Sequence, residues 1–156
     1  RLGVVVVVAE DADAAGEVLT LRRAAFLAAG ADHDDYTIPP LTEPLAAVHA
    51  ELADPATLAL GVREGGRLLA SVSLRRAGED VELSRFAVVP DRQGEGLGGR
   101  LLRAAESAFP DARTIRLATG EFSTANLAMY ARAGYVETHR ISVGRYHLIH
   151  LAKPLR

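Results

Sequence analysis

The sequence predicts an α+β fold: a single mixed, mostly antiparallel sheet flanked by helices, with residues 1–156 forming one domain. Three observations predict it. Glycine turns between strand-like runs occur in the middle and again near the end of the chain, the pattern of antiparallel hairpins. Between them the order is strand, glycine loop, helix, strand, helix, the pattern of a parallel crossover. The length of 156 residues and a hydrophobic content of 49% suit one domain with one core.

Each element has its own signal. Residues 4–9 (VVVVVA) are a continuous apolar run, the mark of a strand buried on both faces. Asp11 or Asp13 can cap a helix that runs to about residue 29, with Val18, Leu19, Arg22, Ala25 and Phe26 at helical spacing. Residues 30–44 read as irregular, ending in Pro39, Pro40 and Pro44. Pro44 also suits the first turn of a second helix reaching about residue 52. Strands at 57–63 and 67–75 flank the turn Glu64-Gly65-Gly66, and a turn at 77–80 leads into a strand at 81–89 that Pro90 stops. Residues 96–109 form a helix with Leu97, Leu101, Leu102, Ala105 and Ala108 on one face. A short strand follows at 114–118. Ser123 caps a helix through residue 132, which Gly134 ends. Strands at 135–143 and 146–152 form a last hairpin around Gly144, whose edge could pair between subunits to give a homodimer.

Composition excludes several function classes. A net charge of −2 argues against bulk nucleic-acid binding. With no cysteine, there is no disulfide, thiolate nucleophile or cysteine metal site. The most apolar run is far shorter than the roughly 20 residues a membrane helix needs, and it makes a poor signal peptide. A cytoplasmic protein without a membrane partner is the simplest reading. His147 and His150, three apart on a strand, fall on opposite faces, and no other group of residues has metal-ligand spacing, so no metal is expected.

The chemistry concentrates after the strand at 81–89. Gly94, Gly96, Gly98 and Gly99 lie between that strand and the following helix. Glycine lets the backbone turn tightly and approach a ligand, and the helix start offers unpaired N–H groups and a positive dipole end. Together they suit a phosphate, and Arg92, Arg100 and Arg103 could add positive charge. Gly94-x-Gly96-x-x-Gly99 also matches the dinucleotide fingerprint, but Pro90 to Gln93 separate it from the strand and hairpins occupy the place of further parallel units.

Residues 82–102 (ELSRFAVVPDRQGEGLGGRLL) resemble the central motif of the GNAT acyltransferase superfamily, a strand ending in Val-x-Pro and then Gln/Arg-x-x-Gly-x-Gly/Ala, filled here by Gln93, Gly96 and Gly98. Residues 123–135 (STANLAMYARAGY) resemble the family's later helix with its Asn, its Leu/Met-Tyr and its closing Gly-Phe/Tyr. The resemblance implies a GNAT-like acyl-CoA N-acyltransferase fold with acetyl-CoA as acyl donor. It implies an acetyl group moved by direct attack to a primary amine of a small molecule, amino acid or peptide. By resemblance, backbone of Phe86, Ala87 and Val88 would bond the pantetheine arm, and a backbone N–H near Val88 could stabilise the oxyanion. Arg92, Gln93, Gly94, Glu95, Gly96, Leu97, Gly98 and Gly99 would surround the pyrophosphate. Either Ser123 or Asn126 would contact the cofactor, and Tyr130 would protonate the departing thiolate. Asn126 and Tyr130 lie one helical turn apart and so face the same way.

A base is also needed to take the incoming amine's proton, and Glu82 and Glu121 are the two candidates. The acidic segment Asp32-His33-Asp34-Asp35-Tyr36 falls where the family commonly walls its acceptor site, and such a wall would suit a cationic amine. Arg85 and Tyr146 could also line that side. Two other readings compete: a non-catalytic acyl-CoA-binding module, and a dinucleotide-binding domain.

Overall fold

The computed structural model describes residues 3–156. Seven strands form one sheet in the order β1-β2-β3-β4-β5-β7-β6. They are β1 (Val5–Glu10), β2 (Thr57–Glu64), β3 (Arg67–Ala77), β4 (Asp80–Val88), β5 (Thr114–Gly120), β6 (Val136–Ser142) and β7 (His147–Pro154). Every neighbouring pair is antiparallel except β4–β5. The sheet is therefore mixed and mostly antiparallel, as the hairpin signals predict.

Five helices cover it: α1 (Ala15–His33), α2 (Pro39–Thr42), α3 (Leu45–Ala53), α4 (Leu97–Ser107) and α5 (Thr124–Arg132). One face of the sheet takes α1 and α3, where Val18, Leu21, Val48 and Leu52 pack on Ala59, Leu68 and Ala87. The other takes α4 and α5, where Leu97, Leu101, Leu102, Ala105 and Tyr130 join Leu83, Ile115, Leu117 and Ile149. The buried stripe of α4 is the one its 3.6-residue spacing predicts.

Some local expectations are corrected. Asp11 caps a 3-10 turn at Ala12–Ala14, accepting from the Asp13 N–H at 3.0 Å, and α1 continues from that turn with no side-chain cap of its own. The helix also runs past residue 29, through Gly30, to His33, and ends where Asp34 turns left-handed at φ 49°. Part of the segment read as irregular is α2, a short helical turn opened by Pro39 and Pro40. Ser123 precedes α5, but its side chain makes no capping bond. Gly134 does end α5, at φ 99°, and the Tyr135 N–H closes back on the Tyr130 carbonyl at 3.0 Å. The run that begins at residue 4 is not buried on both faces either: β1 is an edge strand, and Val4, Val6 and Val8 are exposed.

The sheet is closed at one end of its centre and open at the other. β4 and β5 pair only from Asp80↔Thr114 to Glu82↔Arg116. Beyond that point the strands part, and the β4 edge past residue 82 faces a wedge-shaped gap rather than β5.

Candidate active site

The wedge is shaped by a bulge. Ser73 pairs with Ser84 and Ser71 with Ala87, so β4 carries one extra residue there. Arg85 sits at φ 55° in the left-handed region, unusual for a residue with a side chain. Its guanidinium reaches both carboxylate oxygens of Glu43 at 3.4 Å. Glu43 also accepts from Arg22 at 3.0 Å, and Arg22 adds a two-pronged bond to Glu51 at 2.9 and 2.6 Å and one to Ser73. Arg22 is only 1% exposed. Burial pushes the Glu51 carboxyl up, but bonds from Arg22 and Ser73 outweigh it and hold the acid below its ordinary value. The network thus ties α1, the segment before α3, α3, β3 and the β4 bulge into one rigid support.

Two cavities open on the wedge. The first, of about 1020 Å³, runs along the glycine loop between α4 and α5. Gly94 and Gly96 have φ 79° and 82°, and a Cβ built on either would meet nothing within 4 Å. Their backbone is therefore bare toward the groove, and the start of α4 has no side-chain cap to occupy its free N–H groups. Gln93, Leu97, Gly98, Gly99 and, on β4, Phe86, Ala87 and Val88 line the same groove. Arg103 and Arg132 contribute positive charge there, the second missed in the sequence because it comes from α5, whereas Lys153 on β7 is paired with Glu106 at 3.0 Å. Arg92 lines the groove, but its guanidinium is bonded to Glu95 at 2.9 Å and to Glu64 at 2.8 Å. Arg100 turns away to the Val5 carbonyl. A bare backbone cradle at a helix start, flanked by cations, fits a pyrophosphate.

The second cavity, of about 690 Å³, lies on the sheet face that α1 and α3 leave uncovered. Phe86, Ser123 and Asn126 line both cavities, so the two meet in the wedge. Ser123 is buried and Asn126 exposed, and both face this junction. Tyr130 lines the second cavity, is 3% exposed, and packs edge-on against Phe86 and Tyr135 at 6.0 and 5.6 Å. Burial raises its phenol well above the ordinary range and keeps it protonated.

The candidate bases part company. Glu82 lines the second cavity, its side chain 57% exposed and 3.6 Å from Arg116. Glu121 accepts from the His147 backbone at 2.7 Å and its ring at 3.2 Å, bonds that lower its pKa. It joins the β5–α5 loop to the start of β7 and is not brought to the cavity with Tyr130 and Glu82. The acidic segment is occupied too. Asp34 pairs with Arg145 at 2.8 Å, and Asp35 accepts from Thr37 and Tyr146. Of that segment only His33 reaches the second cavity, beside Ile38, Pro39 and Pro40, so the wall is largely apolar.

His139 and His150 complete the second cavity, their rings stacked at 4.3 Å and 14°. His147 points elsewhere, as strand alternation requires. Among the described residues no group of His, Asp and Glu could hold a metal, and no helix is long and apolar enough to cross a membrane.

Residues 21–135 match the model of the Acetyltransferase (GNAT) family. Over 96 residues the chain is 33% identical to an N-alpha-acetyltransferase RimI of Mycobacterium tuberculosis, covering 59% of this chain and 60% of that relative's length. The ribosomal-protein-S18-alanine N-acetyltransferase of Escherichia coli superposes with a TM-score of 0.80 at 18% identity, over 97% of this chain and 94% of that one. A PaiA N-acetyltransferase of Thermoplasma acidophilum, solved with coenzyme A, superposes with a TM-score of 0.73 at 15% identity, over 97% and 99%.

Proposed function

The chain belongs to the acetyltransferase (GNAT) family, and from that premise we propose that it moves an acetyl group from acetyl-CoA to a primary amine by direct attack. One observation carries the reading: a phosphate cradle and a separate, largely apolar cavity converge on the same gap between β4 and β5. A two-substrate transfer needs such a junction, because its donor and acceptor must meet at one bond. The names of the relatives direct the first choice of acceptor to the α-amine at the start of a polypeptide; amino acids and other small amines are the next to try.

Bound acetyl-CoA would supply the activated acetyl thioester. The chain's residues do the rest. Backbone N–H groups from Gln93 to Gly98 hold the pyrophosphate. The unpaired edge of β4 at Phe86, Ala87 and Val88 bonds the pantetheine as an added strand would. Ser123 and Asn126, at the junction, orient its end. An N–H at the bulge near Val88 faces the carbonyl oxygen as its charge grows. Tyr130, neutral through burial, gives its proton to the leaving sulfur. Glu82, which lines the acceptor cavity with its side chain exposed, passes the amine's proton to solvent.

Release of free thiol from acetyl-CoA, followed over a panel of peptides and small amines, tests the reading. Release that depends on the amine is expected. Tight acetyl-CoA binding with no release from any amine would leave a non-catalytic acyl-CoA-binding module instead.

A further inference from the structure

His150 is a polar side chain in the acceptor cavity that the proposed chemistry has not used. It stands on β7 opposite Ala118 of β5, and both residues line that cavity together with Tyr130. Its Nε2 is buried and finds no hydrogen-bond partner among the described residues. An unpartnered buried nitrogen costs about 1–3 kcal/mol, and such an atom calls for a reason to be kept, of which a catalytic role is one. The opposite face of the ring is covered by His139, stacked at 4.3 Å. A bulge in β6 makes that stack possible, since the register slips between Glu137 and His139.

The charged and titratable groups around it favour a neutral ring. His139 faces it from β6, Arg116 lies on β5 two residues from Ala118, Glu82 and Arg85 line the cavity from β4, and Tyr130 comes from α5. Arg116 is taken up by Asp80 at 3.3 Å and Glu82 at 3.6 Å, and Arg85 by Glu43. Among the described residues no carboxylate is paired with the His150 ring itself. Two stacked imidazolium rings would repel, so the stack disfavours charge on His150.

We propose that His150 is the general base that accepts the acceptor ammonium's proton at Nε2, with His139 as the positioning residue that keeps the ring stacked and uncharged. This rests on the transferase reading above. His150 takes one proton from the ammonium and frees the nitrogen lone pair. The nitrogen forms its bond to the acetyl carbon as the carbon–sulfur bond breaks, and Tyr130 protonates the sulfur. The second proton that the nitrogen sheds restores Tyr130. His150 releases its own to water past Glu82, so one proton leaves per turnover. Burial first, and then the neighbouring His139, lower the His150 pKa from its ordinary value, which fits a base that is ready at neutral pH.

Two readouts on the intact chain test this. The first is NMR titration of the imidazole C–H resonances. His150 is expected to titrate below ~6.5 and to rise toward that value in His139→Phe. A His150 that stays charged at pH 7 overturns the proposal. The second is kinetic, with an acceptor found by thiol release. His150→Gln is expected to lower kcat/KM by about 100-fold or more at pH 7 while leaving the acetyl-CoA KM nearly unchanged. The acid limb of the pH profile should vanish with it, and added imidazole should restore part of the rate in His150→Gly. Retention of kcat/KM and of that limb in His150→Gln, in a chain that does release thiol, overturns the role of His150 alone. Absence of thiol release by the unmodified chain from every amine overturns the transferase reading and the base with it.

Discussion

Tyr130 shows how burial sets a residue's chemistry. A phenol shielded by Phe86 and Tyr135 keeps its proton far into the alkaline range, so it can act only as an acid. Tyr130→Phe should lower kcat by about 100-fold or more with little change in the acetyl-CoA KM. The kcat profile of the unmodified chain should show no falling limb from this group below pH ~10. Asp35 illustrates the opposite sign. Bonds from the Thr37 hydroxyl, the Tyr146 hydroxyl and the Thr37 N–H lower its pKa from 3.8 to about 2. A depressed carboxylate stabilises the fold above its unfolded value and loses that contribution as pH falls through the folded one. Between pH 4 and 2, thermal unfolding should therefore fall more steeply for the unmodified chain than for Asp35→Asn. Added salt should shrink the difference, because the group is exposed. Glycine spacing made the phosphate cradle legible at this scale. The stacked histidines were not, because the β6 bulge brings His139, rather than Thr138, opposite His150, and a one-residue slip is invisible in a two-residue alternation.

At the scale of elements, α4 and β4 do most to place the site. The turn into α4 depends on Gly96 at φ 82°. Gly96→Ala should cost about 1–2 kcal/mol through backbone strain alone, and weaken acetyl-CoA binding by roughly tenfold or more as the cradle shifts, both measurable by calorimetry. The β4 bulge escaped the sequence for a different reason: the left-handed residue is Arg85, not a glycine, and what holds it is a network reaching Glu43 and Arg22, far away in the chain. The helical spacing of α1 put Arg22 among its apolar positions without revealing its partners. Removing the guanidinium takes the cation from Glu51 and leaves Glu43 only its longer contacts to Arg85, so Arg22→Met should destabilise the fold by about 3–5 kcal/mol in urea unfolding. Apart from α2, the order of strands and helices was readable, because Pro90, Gly134 and the glycine turns mark boundaries by backbone geometry that few other residues adopt.

For the molecule as a whole, the decisive feature is one parallel pair in an otherwise antiparallel sheet, closed over only three residues and open beyond. Neither strand's sequence announces where pairing stops. The opening follows from the helices, with α4 and α5 filling one side while α1 and α3 leave the far half of the other side bare. It creates a donor groove and an acceptor cavity that share Phe86, Ser123 and Asn126. Amide hydrogen exchange with and without acetyl-CoA tests that arrangement most directly. Slowed exchange concentrated at residues 86–88 and 93–98, with NAD producing none, is the predicted result. Unchanged exchange in both segments at saturating acetyl-CoA, or equal protection by NAD, would contradict it.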